Sequence, residues 1–112
     1  MVEDDPSIVA VVSEILIAEG HDVVSAENGA EALTKANGES LILLDMRMPV
    51  LDGWGFAQQF RASGGRSPIV VMTAAENARH WAEEIGADGY LAKPFEIDAL
   101  IAAVERHATG TR

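Results

Sequence analysis

The chain has no cysteine, which excludes disulfides, thiolate metal sites and thiol catalysis. No apolar stretch approaches the ~20 residues that span a bilayer, and the N-terminus opens on acids where a signal peptide carries a basic flank. The chain therefore reads as soluble and cytoplasmic. Basic residues are scarce: 8 Lys and Arg stand against 18 Asp and Glu in 112 residues, for a formal net charge of -10. Long-range repulsion then opposes binding to nucleic acid or to an anionic membrane, and favours a metal cation or a partner with a basic patch. No linker, internal repeat or low-complexity segment interrupts the sequence, and its length suits one domain. A second, output-bearing domain is not expected within it.

Short apolar runs alternate with helical patterns, the signature of βαβ units joined by right-handed crossovers. Pro6 and Ser7 open a helix with Ile8, Val11, Val12, Ile15 and Leu16 at helical spacing, capped by Asp5 and closed by Gly20. His21 to Ala26 reads as a strand, Asn28 to Ala36 as a short helix, and Asn37-Gly38 as a turn into Leu41-Ile42-Leu43-Leu44. Helices are predicted over Trp54 to Ala62, Glu76 to Ile85 and Ile97 to Ala108. The remaining strands are Ile69 to Met72 and Gly89 to Ala92. With Met1-Val2 as a stub of the first strand, the expectation is a doubly wound α/β fold with a five-stranded parallel sheet and five helices.

The run 41–44 is apolar on both faces, as a central parallel strand covered by helices on both sides must be. It ends in Asp45, at the carboxyl end of a strand, where open α/β sheets place their ligand sites. Other strand ends add Glu3-Asp4-Asp5, Thr73 and Lys93-Pro94, so acids, a hydroxyl and one lysine converge. Each has a plainer reading: Asp45 as a turn aspartate, Glu3 and Asp4 as a frayed acidic end, Thr73 as a back-bonding loop residue, Lys93 as a solvated charge. Their joint occurrence at strand ends favours chemistry. Trp54 is expected to pack, whereas Trp81, beside His80, is a candidate for an exposed partner face. His21, His80 and His107 are isolated and read as surface residues.

At this point the chain resembles the bacterial response-regulator receiver domain over essentially all of its length. The resemblance is carried by Val2-Glu3-Asp4-Asp5, Leu43-Leu44-Asp45-Met46-Arg47-Met48-Pro49 with Asp52-Gly53, Met72-Thr73-Ala74, and Gly86-Ala87-Asp88-Gly89-Tyr90-Leu91-Ala92-Lys93-Pro94-Phe95. It implies a flavodoxin-like fold with strand order 2-1-3-4-5. Asp45 would be the phosphoacceptor, taking a phosphoryl group from a phosphohistidine on a histidine kinase or phosphotransfer protein. Glu3, Asp4, an Asp45 oxygen and the Arg47 carbonyl would hold Mg²⁺. Lys93 and Thr73 would bond the phosphoryl oxygens, Tyr90 would be the switch aromatic with Thr73, and the peptide before Pro94 is often cis in the family. The resemblance also implies a protein that assists its own phosphorylation without being an enzyme in the ordinary sense. Its downstream protein partner would meet the fourth predicted helix, fifth predicted strand and last helix. A monomer or weak dimer is expected.

The pattern departs from the family in its first strand, which is stunted to Met1-Val2, so the receiver at residues 1–112 reads as truncated at its N-terminal edge. Arg47 and Ala75 stand at positions that tune the lifetime of the acyl phosphate in the family. Two other classes compete. A haloacid-dehalogenase phosphatase needs a second Asp two residues after its nucleophile, and Arg47 stands there. A nucleotide- or flavin-binding protein needs a glycine loop after the first strand, where this chain has acids. Within the family itself, a constitutive interaction module or a phosphate sink is the alternative to a switch.

Overall fold

A computed structural model describes residues 1–35, 41–46 and 52–107. Ile42, Leu43, Leu44 and Asp45 form β1 (Ile42–Asp45), every residue buried. It pairs in parallel with β2 (Ile69–Ala74), Ile42 opposite Ile69 and Asp45 opposite Met72. On its other side β2 pairs in parallel with β3 (Gly89–Lys93), Thr73 opposite Ala92. Successive side chains point to opposite faces of this sheet, and two apolar layers result. Ile42, Leu44, Ile69 and Val71 face Phe56, Ala57, Phe60 and Ala82. Leu43, Val70 and Met72 face Val12, Leu16, Leu100 and Val104. At about 1.5 to 3 kcal/mol for each fully buried large apolar side chain, these layers dominate the stability of the fold.

Five helices supply those layers. On one face lie α2 (Gly29–Lys35), α3 (Gly53–Ala62) and α4 (Ala75–Ile85); on the other lie α1 (Pro6–Ala18) and α5 (Ile97–His107). Local signals set their ends. The Asp5 carboxylate accepts from the Ser7 N–H at 3.0 Å with Pro6 at the first helical position, and the Asp52 carboxylate accepts from Gly55 N–H at 2.8 Å. In α2, Asn28 accepts from Glu31 N–H while the Glu31 carboxylate reaches back to Glu27 N–H, a reciprocal cap. Gly86 ends α4 in the left-handed region with φ 67°.

The sheet has three strands among the described residues, where five were expected. Met1-Val2 and His21 to Ala26 form no strands of their own. Val2 instead makes single parallel bridges to Ala26 and to Leu44: its N–H donates to Leu43 O, Asp45 N–H donates to Val2 O, and Ala26 N–H donates to Met1 O. The physical reason is length. A two-residue stub offers one residue for bridging, and the 21–26 segment, whose ladder partner it would be, is left paired only at Ala26. The terminal ammonium then caps the segment by donating to Val24 O at 2.7 Å. Ala36 and Ala108, expected to end two of the helices, and the Asn37-Gly38 turn lie outside the described residues, as does Arg47.

Candidate functional site

Two backbone devices set the position of Asp45. The first is the bridge from Val2, which pins the chain so that Glu3 and Asp4 emerge beside the end of β1. The second is Gly53: a methyl group there would come within 2.7 Å of the Asp45 carbonyl oxygen and 2.8 Å of Met46 Cα. The start of α3 thus rests directly on the backbone that carries the carboxylate, with Asp52 fixing the helix end. Sequence reading noted Asp52-Gly53 only as part of a motif; the close approach is a tertiary fact with no local signature. Gly53→Ala is expected to force β1 and α3 apart at the site and to cost about 1–3 kcal/mol, the scale of overpacking a close contact. Urea denaturation measures it, and a change below a few tenths of a kcal/mol would contradict the packing argument.

Glu3 and Asp45 are buried while Asp4 is exposed, and oxygens of the three carboxylates lie within 4.8 Å of one another. Such a concentration of anions needs compensation. Lys93, at the end of β3, provides part of it: its ammonium donates to Glu3 Oε1 at 2.8 Å and stands 3.6 Å from Asp45 Oδ1. Glu3 Oε2 accepts in addition from Asp5 N–H. Burial still holds the Glu3 carboxyl above its ordinary range; the Lys93 hydrogen bond opposes the shift and the nearby Asp45 charge adds to it. Asp5, one turn out on the surface, is shifted the other way by its bonds to the Ser7 hydroxyl and N–H. Three carboxylates against one ammonium leave two negative charges over, which suits a hard divalent ion.

Thr73 ends the set. β2 delivers it next to Asp45's strand, 2 % exposed, and its hydroxyl has no hydrogen-bond partner among the described residues. A buried hydroxyl without a partner costs about 1–3 kcal/mol. Its placement is that of a donor waiting for an acceptor. Thus Glu3, Asp4, Asp45, Thr73 and Lys93 stand at one edge of the sheet. Tyr90 stands 48 % exposed on β3, in register with Val71. The Lys93–Pro94 peptide is cis. Trp54, expected to pack, is the more exposed of the two tryptophans. Trp54 is exposed, because two helical residues before Phe56 it lies some 200° around α3 from that ring. Trp81 is half-buried against the core beside Ala82 and Ile85, with His80 edge-on to its ring.

A parallel α/β sheet carries at its carboxyl edge a buried carboxylate pair, an exposed third acid, a lysine and a buried hydroxyl without a partner among the described residues, an acidic cluster that could hold a metal ion. Comparison with known proteins gives the family. Residues 1–105 match the model of the response regulator receiver domain. The transcriptional regulatory protein PcoR of Escherichia coli is 37% identical over 108 residues, covering 93% of this chain and 48% of PcoR. The alkaline phosphatase synthesis transcriptional regulatory protein PhoP of Bacillus subtilis is 37% identical over 115 aligned residues, 96% of this chain and 48% of PhoP. Among solved structures, the chemotaxis protein CheY4 of Vibrio cholerae superposes with a TM-score of 0.85 at 32% identity, over 95% of this chain and 93% of that one. The response regulator TrrA of Thermotoga maritima, in complex with Mg²⁺ and BeF, gives 0.82 at 30% identity over 94% and 93%. The chain belongs to the response-regulator receiver family of two-component signal transduction, and its fold is the flavodoxin-like one of those neighbours. It spans about half the length of PcoR and PhoP. No helix of the described residues is long and apolar enough to cross a membrane.

Proposed function

We propose that the domain accepts a phosphoryl group on Asp45 from a phosphohistidine of a kinase or phosphotransfer protein in the cytoplasm, and signals the change to a protein partner. The observation that carries this reading is the convergence of Asp45, Glu3, Asp4 and Lys93 at the carboxyl edge of the sheet, where β2 also ends with the buried Thr73 hydroxyl, without a partner among the described residues. An Asp45 oxygen attacks phosphorus, the P–N bond breaks as the P–O bond forms, and the donor nitrogen leaves with the bonding pair. Glu3, Asp4 and Asp45 would hold Mg²⁺, with the Arg47 carbonyl, outside the described residues, as the fourth ligand. When bound, the ion neutralises charge on the phosphoryl oxygens. Lys93 is already within reach of Asp45 and transfers from Glu3 to the acyl phosphate as a point charge. These residues position and neutralise, so the domain assists its own phosphorylation and hydrolysis and turns over no other substrate.

The same geometry supplies a switch. Thr73 gains a partner only when the phosphoryl group arrives, and the strand that carries it runs on into α4 and lies beside β3. A two-state element biased by that single bond is what separates signalling from mere proximity. The exposed Tyr90 would turn toward the space Thr73 vacates, reshaping the face made by α4, β3 and α5 that meets the downstream partner. Thr73→Val keeps the shape and removes the orphaned hydroxyl, so the unphosphorylated variant is expected to be about 1 kcal/mol more stable than the parent. With phosphoramidate and Mg²⁺, fluorescence of the half-buried Trp81, read in a Trp54→Phe background, should change in the parent and stay flat in Thr73→Val. An unchanged Trp81 signal in a parent shown to be phosphorylated would make the domain a phosphate sink and not a switch.

A further inference from the structure

Trp54 is an exposed tryptophan on a chain that has two. The core does not need it: α3 packs through Phe56, Ala57 and Phe60, and Trp54 stands off to the side of that packed face at 42 % exposure. Its position along the chain is what distinguishes it from the other exposed apolar residues. It follows Gly53, where an added Cβ would lie 2.7 Å from the Asp45 carbonyl oxygen, so its Cα lies within about 8 Å of that oxygen, one Cα–Cα step beyond Gly53. A macromolecule that brings a phosphoryl group to Asp45 approaches the carboxyl edge of the sheet, beside which α3 begins. The surroundings are acidic: Asp4, Asp5 and Asp52 are exposed at the same edge, and Lys93 is engaged by Glu3 and Asp45.

We propose that Trp54 is the anchor by which this receiver holds its protein phosphodonor, a phosphohistidine-bearing protein with apolar and basic side chains next to its histidine. The inference rests on the phosphoacceptor reading of Asp45. An indole offers a large rigid contact surface and a face for a lysine or arginine, and aromatic residues of this kind dominate binding energy at interfaces. The flanking acids repel an acidic donor surface and attract a basic one. A small phosphodonor such as phosphoramidate occupies only the site itself and has no use for Trp54.

The test compares the two kinds of donor on Trp54→Ala and Trp54→Phe. The histidine kinases of the host organism are autophosphorylated with labelled ATP, and the one that transfers fastest to the parent chain serves as donor. Transfer from that kinase to Trp54→Ala is expected to fall about tenfold or more in kcat/KM, with Trp54→Phe retaining most of the rate. Labelling by phosphoramidate should be equal in parent and variants, which shows that fold and acceptor are intact. Equal kinase transfer to parent and Trp54→Ala overturns the inference, as does a kinase panel that never labels a parent which phosphoramidate does label. Failure of phosphoramidate to label the parent strikes the reading of Asp45 instead.

Discussion

Asp45→Asn removes phosphorylation outright and, in metal-free buffer, makes the fold more stable. The loss of labelling follows from chemistry, since the neutral amide has no nucleophilic oxygen to offer. The gain in stability follows from the charges. Asp45 is attracted by the Lys93 ammonium at 3.6 Å and repelled by carboxylates of Glu3 and Asp4, whose oxygens lie within 4.8 Å. At an effective dielectric near 20 the two repulsions together outweigh the Lys93 attraction by about 2 kcal/mol. Exposure of Asp4 to solvent reduces this to about 1 kcal/mol, a rise in melting temperature of about 4 °C. Scanning calorimetry in EDTA, paired with mass spectrometry after phosphoramidate and Mg²⁺, reads both effects. A variant that melts earlier than the parent would show that Asp45 is held by attractions stronger than the repulsion around it.

Lys93→Met acts in the opposite sense and depends on pH. The ammonium is the hydrogen-bonding partner of a carboxylate that is 1 % exposed, and removing one member of a buried pair costs about 3–5 kcal/mol. Because Lys93 is itself partly exposed, about 2–3 kcal/mol is the expected loss at neutral pH. Burial already raises the Glu3 carboxyl above its ordinary value of 4.5, and loss of Lys93 raises it further. The folded variant then binds a proton that the unfolded chain has released, so stability falls as pH climbs from about 4.5 through the folded value. Below that window Glu3 is protonated in both states and the deficit is small. Urea titrations in EDTA at pH 4.5 and pH 7.5 separate these regimes, and an equal deficit at both would refute the charge argument. Labelling by phosphoramidate should also drop, by about a hundredfold, the scale of removing one charge-stabilising donor.

Local chemistry made much of this domain readable. Asp45 was legible because a strand buried on both faces must be apolar throughout, so a charged residue at its end stands out. The start of α1 at Asp5-Pro6 and the end of α4 at Gly86 carry their caps in the sequence. Where longer-range geometry decides, the reading failed or fell silent. His21 to Ala26 has the composition of a strand, but pairing depends on a neighbour that is two residues long, and only Ala26 finds it. Trp54 does not pack as its composition suggests, whereas Ala78, Trp81, Ala82 and Ile85 form one apolar stripe at helical spacing on α4. Trp54 drops out of the corresponding stripe on α3. Neither the Gly53 contact with Asp45 nor the orphaned Thr73 hydroxyl has any sequence signal, because both exist only once β1, β2 and α3 are assembled.

The central claim is that a phosphoryl group is taken up at one carboxylate, Asp45, with help from a divalent ion held by its acidic neighbours. The most direct measurement is peptide mapping of the protein after incubation with phosphoramidate and Mg²⁺, with borohydride reduction to mark the acyl phosphate. The account predicts one acid-stable, base-labile phosphoryl group per chain, a reduced residue at position 45, and no labelling when EDTA is present. A mark on another residue, or full labelling of Asp45→Asn, would contradict it.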